Sequence, residues 1–374
     1  MLILSFVPAI IARRRGHWLD ESGQERIIAA APPERIIMTA SSDPFEAVHA
    51  RLLRFYPELV RDLGGDPVLL FQQAGLDPAD PGFGYRQLVL LLERSAVALG
   101  RPDFGLRLAL RQRGGAIFGP LGQAMRNSPT LGDALDYASS HSYAHSLAAR
   151  LWLRRFPSVR HVFVGHDILL DAMPDRAQAM EQILLLGHLT AMDLTGSRAR
   201  ARRVHFRHQP LSPLALYRRH FGCPVHFGQS EDGLSFADRD MACPIVEPDA
   251  DALSAVTAYI RAHFPDHHPP LHAQVRGLIM QGLGVGDCSN AQVAVQLGLH
   301  PRTLHRRLRA EGTAFQTIKD EVRRDMLLYY LRQTDLDVMV ISEKLGFAEQ
   351  SVLTRSCHLW LGAAPTAIRA AARG

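Results

Sequence analysis

The stretch CSNAQVAVQLGLHPRTLHRRLRAEGTAF, residues 288–315, decides the fold of the last part of the chain. Ser289 is typical of a helix cap, because its hydroxyl can accept a hydrogen bond from a backbone N–H of the first turn, and this helix is predicted to run to Leu297. Gly298 suits the positive φ of a tight turn, and Pro301 suits the first position of a second helix. The pattern predicts a helix, a short turn and a helix, which is a helix-turn-helix unit.

The second helix of this unit combines an apolar side with a basic side. Leu304 and Leu308 are predicted to face inward, and at about 100° per residue Arg306 lies opposite them. An outward row of arginines suits a helix in the major groove, because guanidinium groups match O6 and N7 of guanine. The predicted core consists of Val293, Leu297, Leu299, Leu304 and Leu308. The predicted DNA-binding side chains are Arg302, Thr303, His305, Arg306 and Arg309.

The pattern recurs at residues 335–362, after a long predicted helix at 315–333. A helix to Leu345, a turn at 346–348 and a helix to about Leu361 are expected. One such unit is a weak signal, but two units joined by one long helix indicate DNA binding in successive major grooves, about 34 Å apart. The predicted inward side chains are Leu353, Cys357 and Trp360. The predicted DNA-binding side chains here are Gln350, Ser351, Thr354, Arg355 and His358.

These segments resemble the DNA-binding domain of the AraC/XylS family of transcription regulators. The resemblance covers about Leu271–Ala371 and implies an all-α domain with two helix-turn-helix units and double-stranded DNA as partner. Leu353 and Cys357 stand where that family usually has aromatic or large residues, so a less tightly packed second unit is expected. The matching segments are LGLHPRTLHRRLRAEGTAF, DEVRRDMLLYYL, LGFAEQSVLTR and W-x-G-x-x-P-T-x-x-R, the last at residues 360–369.

The upstream part resembles, more loosely, the arabinose-binding-like effector domain of one AraC subgroup. The resemblance implies a domain that senses a small molecule or dimerises, which makes a small-molecule effector, a second copy of the chain and RNA polymerase the expected partners. The matching segments are FGPLGQAMRNSPTLGDALDYASSHSYAHS at 118–146 and YRRHFGCPVHFGQSEDGLSF at 217–236.

Apolar periodicity predicts an α+β fold for this upstream domain, with a helical front and a small sheet behind. Residues 44–60 are predicted as one helix, and residues 147–155 and 159–166 as a hairpin around Pro157–Ser158. Further predicted elements are a helix at 175–194, a strand at 201–209, a helix at 214–222 and a strand pair around Glu231–Gly233. The predicted apolar face of the first helix is Val48, Leu52, Leu53, Tyr56 and Leu59.

Composition shifts divide the chain into four predicted regions. The prolines of PDHHPP at 265–270 indicate a linker, because consecutive prolines cannot continue a helix. The N-terminal apolar run of about a dozen residues is too short to span a bilayer, and its positive charges follow it, unlike those of a signal peptide. The predicted regions are a disordered extension at 1–37, an effector or dimerisation domain at 38–245, a connecting helix and linker at 246–270, and the DNA-binding domain at 271–374.

Most of the net charge of +5 lies in the last region, which contains 13 Lys and Arg residues and 9 Asp and Glu residues. The rest of the chain contains 29 basic and 28 acidic residues. The upstream domain therefore lacks the excess of basic residues that is expected of a DNA-binding surface. Four scattered cysteines without a CxxC pair predict no disulfide framework, and a cytoplasmic location with no membrane partner is expected.

No catalytic or cofactor motif is found among G-x-S-x-G, P-loop, GxGxxG and HExxH patterns, so neither an enzyme nor a bound cofactor is expected. His220, Cys223 and His226 are interpreted as structural residues and not as metal ligands. A cavity for an uncharged or weakly charged effector is predicted where residues 141–145 meet 162–166. Two alternatives stay open: an upstream domain that only dimerises, and an enzyme with a DNA-binding appendage.

Overall fold

The computed structural model describes residues 17–19, 25–27, 45–48, 50–76, 83–113, 116–173, 175–264, 268–283 and 288–373. The chain forms two units, Met1–Ile37 and Met38–Gly374. In the first, β1 (His17–Leu19) pairs antiparallel with β2 (Glu25–Ile27). The predicted disorder of residues 1–37 is corrected for these two strands, which contain the strand-favouring residues Trp18 and Ile27. The other residues of that segment lie outside the described ones.

Short helices make up the front of the upstream domain. The single helix predicted over 44–60 is wrong: a 3-10 turn at Ala50–Leu53 is followed by Phe55, whose φ of 65° breaks the helix before Pro57. Proline cannot continue a helix from the preceding turn, because its ring clashes there and its backbone nitrogen carries no hydrogen. Val48, Leu52, Tyr56 and Leu59 are nevertheless buried, as the spacing predicts, and Leu53 is partly buried. The helices are α1 (Tyr56–Asp62), α2 (Pro67–Gln73), α3 (Tyr85–Ala98), α4 (Phe104–Arg111), α5 (Gly119–Asn127) and α6 (Leu131–Ser140).

A five-stranded sheet with the order β3-β4-β7-β5-β6 lies behind these helices. The predicted hairpin is confirmed, but the predicted strand pair around Glu231–Gly233 is wrong, because its two strands are not neighbours. Gly233 lets the second of them lie beside β4, since a Cβ there would come within 2.5 Å of Val164 O. The strands are β3 (Ala149–Phe156), β4 (His161–Ile168), β5 (Arg203–His205), β6 (Val225–His226) and β7 (Gly233–Ala237).

Helix α7 (Ala177–Leu194) is the central element of the upstream domain, since it contacts α3 and α4 on one side and β7 on the other. The helices α8 (Leu214–Phe221), α9 (Asp238–Met241) and α10 (Ala250–His263) complete the domain. Helix α10 packs against α5, and Asp249 N donates to Asn127 Oδ1 at 3.2 Å. The helix predicted to connect the domains therefore lies on the upstream one, and Pro265–His267 of the predicted linker lie outside the described residues.

The C-terminal domain is helical and contains two hydrophobic cores. Its helices are α11 (Leu271–Gly282), α12 (Asn290–Gln296), α13 (Pro301–Ala310), α14 (Phe315–Gln333), α15 (Val338–Lys344), α16 (Gln350–Leu361) and α17 (Pro365–Arg373). The first half of α14 belongs to one core and its second half to the other. Leu353 and Cys357 are completely buried, and Phe347 and Trp360 pack against their core.

The contact between α4 and α7 gives a test of this packing. A Cβ at Gly105 would lie 2.1 Å from Gln178 O, so Gly105→Ala must push the two helices apart. We expect the free energy of unfolding to fall by about 1–3 kcal/mol, measured by urea denaturation of the full chain.

Gly187→Ala is the matched control within α7. The nearest atom to its added Cβ, Leu234 Cδ1, lies at 3.6 Å, and alanine is favoured over glycine inside a helix. Its stability should stay equal or rise; equal losses in both variants would contradict the close contact.

Candidate nucleic-acid interface and upstream cavity

The first helix-turn-helix unit has the caps and the turn that its sequence indicates. Ser289 Oγ accepts a hydrogen bond from Gln292 N at 3.3 Å, and Gly298 has a φ of +64°. His300 Nδ1 accepts from Arg302 N at 3.2 Å and caps α13, a role that was not predicted from the sequence. An imidazole cap is uncommon compared with Ser, Thr, Asp or Asn, so sequence preference gave no signal for it.

Helix α13 presents one apolar and one basic face. Leu304 and Leu308 are completely buried against a core that includes Val275, Ile279 and Ile318. On the other side, Arg302, His305, Arg306 and Arg309 are exposed and Thr303 is half-buried, as predicted. Arg307 is also exposed and was not predicted.

The exposed arginines of α13 form no ion pairs within the described part of the chain. No described carboxylate lies within 4 Å of the guanidinium groups of Arg302, Arg306 and Arg309. Arg276 of α11, by contrast, forms an ion pair with Glu321. Unpaired planar guanidinium groups are suited to bidentate contacts with phosphate or guanine.

The turn of the second unit is fixed to α14 by Arg323. Its Nε donates to Leu345 O at 3.0 Å and its Nη2 donates to Gly346 O at 2.6 Å. The guanidinium also lies 4.2 Å from the centre of the Phe347 ring, a distance typical of a cation–π contact. Gly346 has the positive φ, +64°, that the turn requires.

Helix α16 presents the second predicted set. Gln350, Ser351, Arg355 and His358 are exposed, and Thr354 is half-buried. Ser351 Oγ donates to Glu349 Oε2 at 3.0 Å, and Thr354 Oγ1 donates to Gln350 O at 3.0 Å. The ten predicted residues thus lie on two outward faces, five on α13 and five on α16, and α14 joins the two units.

Comparisons with known proteins identify both domains. The profile described as the arabinose-binding domain of AraC transcription regulators matches residues 64–245, and a helix-turn-helix domain profile matches residues 293–371. The HTH-type transcriptional regulator VirS of Mycobacterium tuberculosis is 34% identical over 328 residues, which cover 86% of this chain and 96% of that protein. The chain belongs to the AraC family of transcription regulators.

Other proteins similar to this AraC-family regulator come from Pseudomonas aeruginosa. The ornithine utilization regulator is 29% identical over 330 residues, which cover 84% of this chain and 94% of that protein. The crystal structure of transcriptional regulator CdpR covers 83% of this chain and 97% of its own, with 21% identity and a TM-score of 0.41. The two matched profiles and the similarity to VirS make the chain a DNA-binding regulator with an arabinose-binding-type upstream domain.

The upstream domain of this AraC-family regulator contains a cavity of about 100 Å³ at the predicted place. His145, Val164 and His166 contribute to its lining, between the sheet and helices α5, α6 and α7. The lining is otherwise mostly apolar, with two buried polar atoms, Thr190 Oγ1 and His166 Nε2, that have no hydrogen-bond partner among the described residues. Burial lowers the pKa of His166 to about 4, so its ring is neutral near pH 7.

The described residues contain no group of three His, Cys, Asp or Glu side chains placed to hold a metal ion. Burial raises the pKa of the Cys223 thiol to about 11, which makes it a poor ligand in the thiolate form. Ser140 Oγ donates to Asp136 O at 2.9 Å within its own helix end. Among the described helices, none is long and apolar enough to cross a membrane.

Hydrogen bonds join the upstream domain to the DNA-binding domain. Ala172 N donates to Asp325 Oδ2 at 2.8 Å, and Gln209 N donates to Tyr329 Oη at 2.8 Å, both on α14. No local sequence pattern predicts this contact, because its partners are 153 and 120 residues apart.

A buried Glu–Tyr pair supports the loop that makes the second of these contacts. Leu211 N and Ser212 N donate to Tyr217 Oη at 3.0 and 3.2 Å, and Tyr217 Oη donates to Glu181 Oε1 at 2.5 Å. Burial raises the pKa of Glu181 to about 8, against an ordinary value of 4.5. The folded protein therefore holds a proton on Glu181 that the unfolded chain releases at neutral pH.

This pair predicts a pH-dependent effect of Glu181→Gln. Because the folded state binds more protons than the unfolded state between about pH 4.5 and 8, the proton on Glu181 makes wild-type stability fall as pH rises through that window. Glutamine accepts the same hydrogen bond without titrating. The stability of the variant relative to wild type should therefore increase from pH 5 to pH 8 in urea denaturation.

Glu343→Gln, at an exposed position of α15, controls for the loss of one negative charge. If the difference between Glu181→Gln and wild type stays constant across this range, the assignment of the proton to Glu181 is wrong.

Proposed function

We propose that this AraC-family regulator reads DNA by placing α13 and α16 in successive major grooves on one face of the duplex. The observation that carries the proposal is the row of unpaired arginines on α13, opposite its two buried leucines. A second polar face on α16 repeats the arrangement, and both helices pack on the same α14.

The two helices contribute different chemistry. On α13, Arg302, Arg306 and Arg309 contact guanine edges or phosphates, with Thr303 and His305 beside them. On α16, Arg355 supplies the positive charge. The amide and hydroxyl groups that can bond to base edges or phosphates there belong to Gln350, Ser351 and Thr354, and His358 flanks them.

Two recognition helices predict a two-part footprint. Hydroxyl-radical footprinting of the full chain on its operator should show two protected segments centred about 10 base pairs apart, one turn of the duplex. A single short protected segment would contradict the role of α16.

Arg306→Ala tests base reading within α13. Loss of a bidentate base contact should weaken binding to the preferred operator by about 1–3 kcal/mol and relax the preference at one base pair, measured by titration against a set of single-base operator variants. Arg218→Ala removes the same charge from an exposed position of α8 and should leave DNA affinity unchanged. An equal loss on all sequences with Arg306→Ala would instead identify a phosphate contact.

The upstream domain is proposed to bind a small uncharged effector in the cavity of about 100 Å³. Thr190 Oγ1 and His166 Nε2 would bond to one polar group of the ligand, because buried polar atoms normally have partners. The similar ornithine utilization regulator is named for a metabolite, which favours a metabolite-responsive role for this chain as well.

A second copy of the chain and RNA polymerase are further proposed partners, and the cytoplasm is the proposed location. The function proposed requires no catalysis. In the alternative, the upstream domain only dimerises, and then no ligand of the cavity would change DNA affinity. Linkage separates the two, because an effector that changes DNA affinity must have its own affinity changed by DNA by the same factor.

A further inference from the structure

A second, larger cavity lies between the upstream and DNA-binding domains. Its volume is about 560 Å³, within the range of roughly 300–1,000 Å³ that small-molecule sites have. The upstream wall comes from α3, the end of β4, the start of α7 and residues 207–211. The opposite wall comes from α11 and from the second half of α14. A molecule in this cavity would touch both domains at once.

Three aspartates of the wall already have donors. Their negative charges are therefore compensated within the protein and leave little attraction for a cationic ligand. Each aspartate has an arginine within ion-pair distance: Arg150 lies 2.9 Å from Asp167, Arg207 lies 3.6 Å from Asp232 and Arg324 lies 3.4 Å from Asp325.

Glu93, in the same wall, is hydrogen-bonded to the backbone of α7. It accepts a hydrogen bond from Gln178 N at 2.7 Å, in the first turn of α7. Burial raises its pKa to about 7, so its negative charge is reduced near neutral pH. Asp175, also part of the lining, is exposed to solvent.

Arg176 is a partly buried cation of this wall with a single side-chain hydrogen bond among the described residues. Its Nη1 donates to Ile168 O at 3.0 Å, and no carboxylate of the described residues lies within 4 Å of its guanidinium. A guanidinium has five N–H donors, so most of them remain available. The group is surrounded by protein, which lowers its pKa, yet it keeps partial exposure because it faces the cavity.

The rest of the wall is suited to an apolar body. Met180 of α7, Met280 of α11 and Met326 of α14 line it, together with Tyr329 and Tyr330. Methionine side chains adapt to irregular shapes and make favourable contacts with aromatic rings.

We propose that this cavity binds a small organic carboxylate with an apolar body, its carboxylate on Arg176 and its body against the methionines of both domains. This ligand site is separate from the smaller cavity of the upstream domain, although His166 contributes to the walls of both. Because the ligand touches both domains, it favours their docked arrangement over any arrangement in which they separate. Its effect on DNA affinity, but not its binding, rests on the function proposed above.

A matched set of probes with one body tests the head group. 3-Phenylpropanoate, 3-phenylpropanamide, 3-phenylpropylamine and phenylalanine carry a carboxylate, a neutral amide, an ammonium group and both charges, respectively. Titration calorimetry and thermal unfolding of the full chain should show binding and a higher Tm with 3-phenylpropanoate. The amide and the amine should bind at least about tenfold more weakly, because they lose the charge-assisted bond. Tightest binding of the amine or of phenylalanine, or no binding by any probe, would overturn the proposal.

Variants then locate the carboxylate. Arg176→Gln should weaken 3-phenylpropanoate binding by about tenfold to a hundredfold, and Arg176→Lys should restore part of it. Arg101→Gln, which removes an exposed arginine outside this lining, should change the affinity less than twofold. Unchanged affinity in Arg176→Gln would overturn the assignment. If Arg176→Gln does not fold, the comparison of carboxylate and amide on wild type still decides the head group.

Hydrogen exchange decides whether the site spans both domains. 3-Phenylpropanoate should slow amide exchange both at residues 176–180 and at residues 326–333 of α14. Protection confined to the upstream domain would contradict the two-domain site. If the wild-type chain does not bind DNA, the proposed function is refuted, but the ligand measurements still decide the proposed site. If no probe binds the chain, the proposed function is unaffected.

Discussion

The helix α14 is the element on which both halves of the function depend. Its 19 residues span roughly 28 Å at about 1.5 Å per residue, and each end closes one hydrophobic core. The two helix-turn-helix units are therefore held at a separation set by one rigid element, since a helix changes its length very little. Because α14 also carries Asp325 and Tyr329, the part that fixes the DNA-binding geometry is the part that the upstream domain contacts.

The contact between the domains includes hydrogen bonds, one of them to a buried carboxylate. Ala172, with a φ of 48°, donates to Asp325, which is itself almost completely buried. Buried charged groups add little net stability, because desolvation offsets their attraction, but removing one partner leaves an uncompensated charge. Such an interface is specific without being strongly stabilising. A ligand between the domains can therefore shift their docking with a modest difference in affinity.

The sequence could predict the DNA-binding elements because their signals are local. A capping serine, a turn glycine and leucines at helical spacing decide α12 and α13 without reference to distant residues. The break at Phe55 depends on Pro57, which the apolar periodicity does not reflect. The pairing of β7 with β4 depends on contacts between residues that are about 70 positions apart in the sequence. The cavity of the upstream domain was predictable from the meeting of two layers. The cavity between the domains was not, because the residues of its two walls belong to separate sequence patterns.

The two cavities differ in what a ligand could do from each. A molecule in the small cavity touches only the upstream domain, so it must act through the packing of β4 and α7 before α14 is affected. A molecule in the larger cavity touches α14 itself, and its binding energy bears directly on domain docking. An equilibrium shifts only by the difference in ligand affinity between its two states, about 1.4 kcal/mol for each tenfold change. In the larger cavity the ligand affinity differs between the docked and the separated states, because separating the domains removes one wall of the cavity. In the small cavity such a difference in affinity arises only if the upstream domain itself changes conformation.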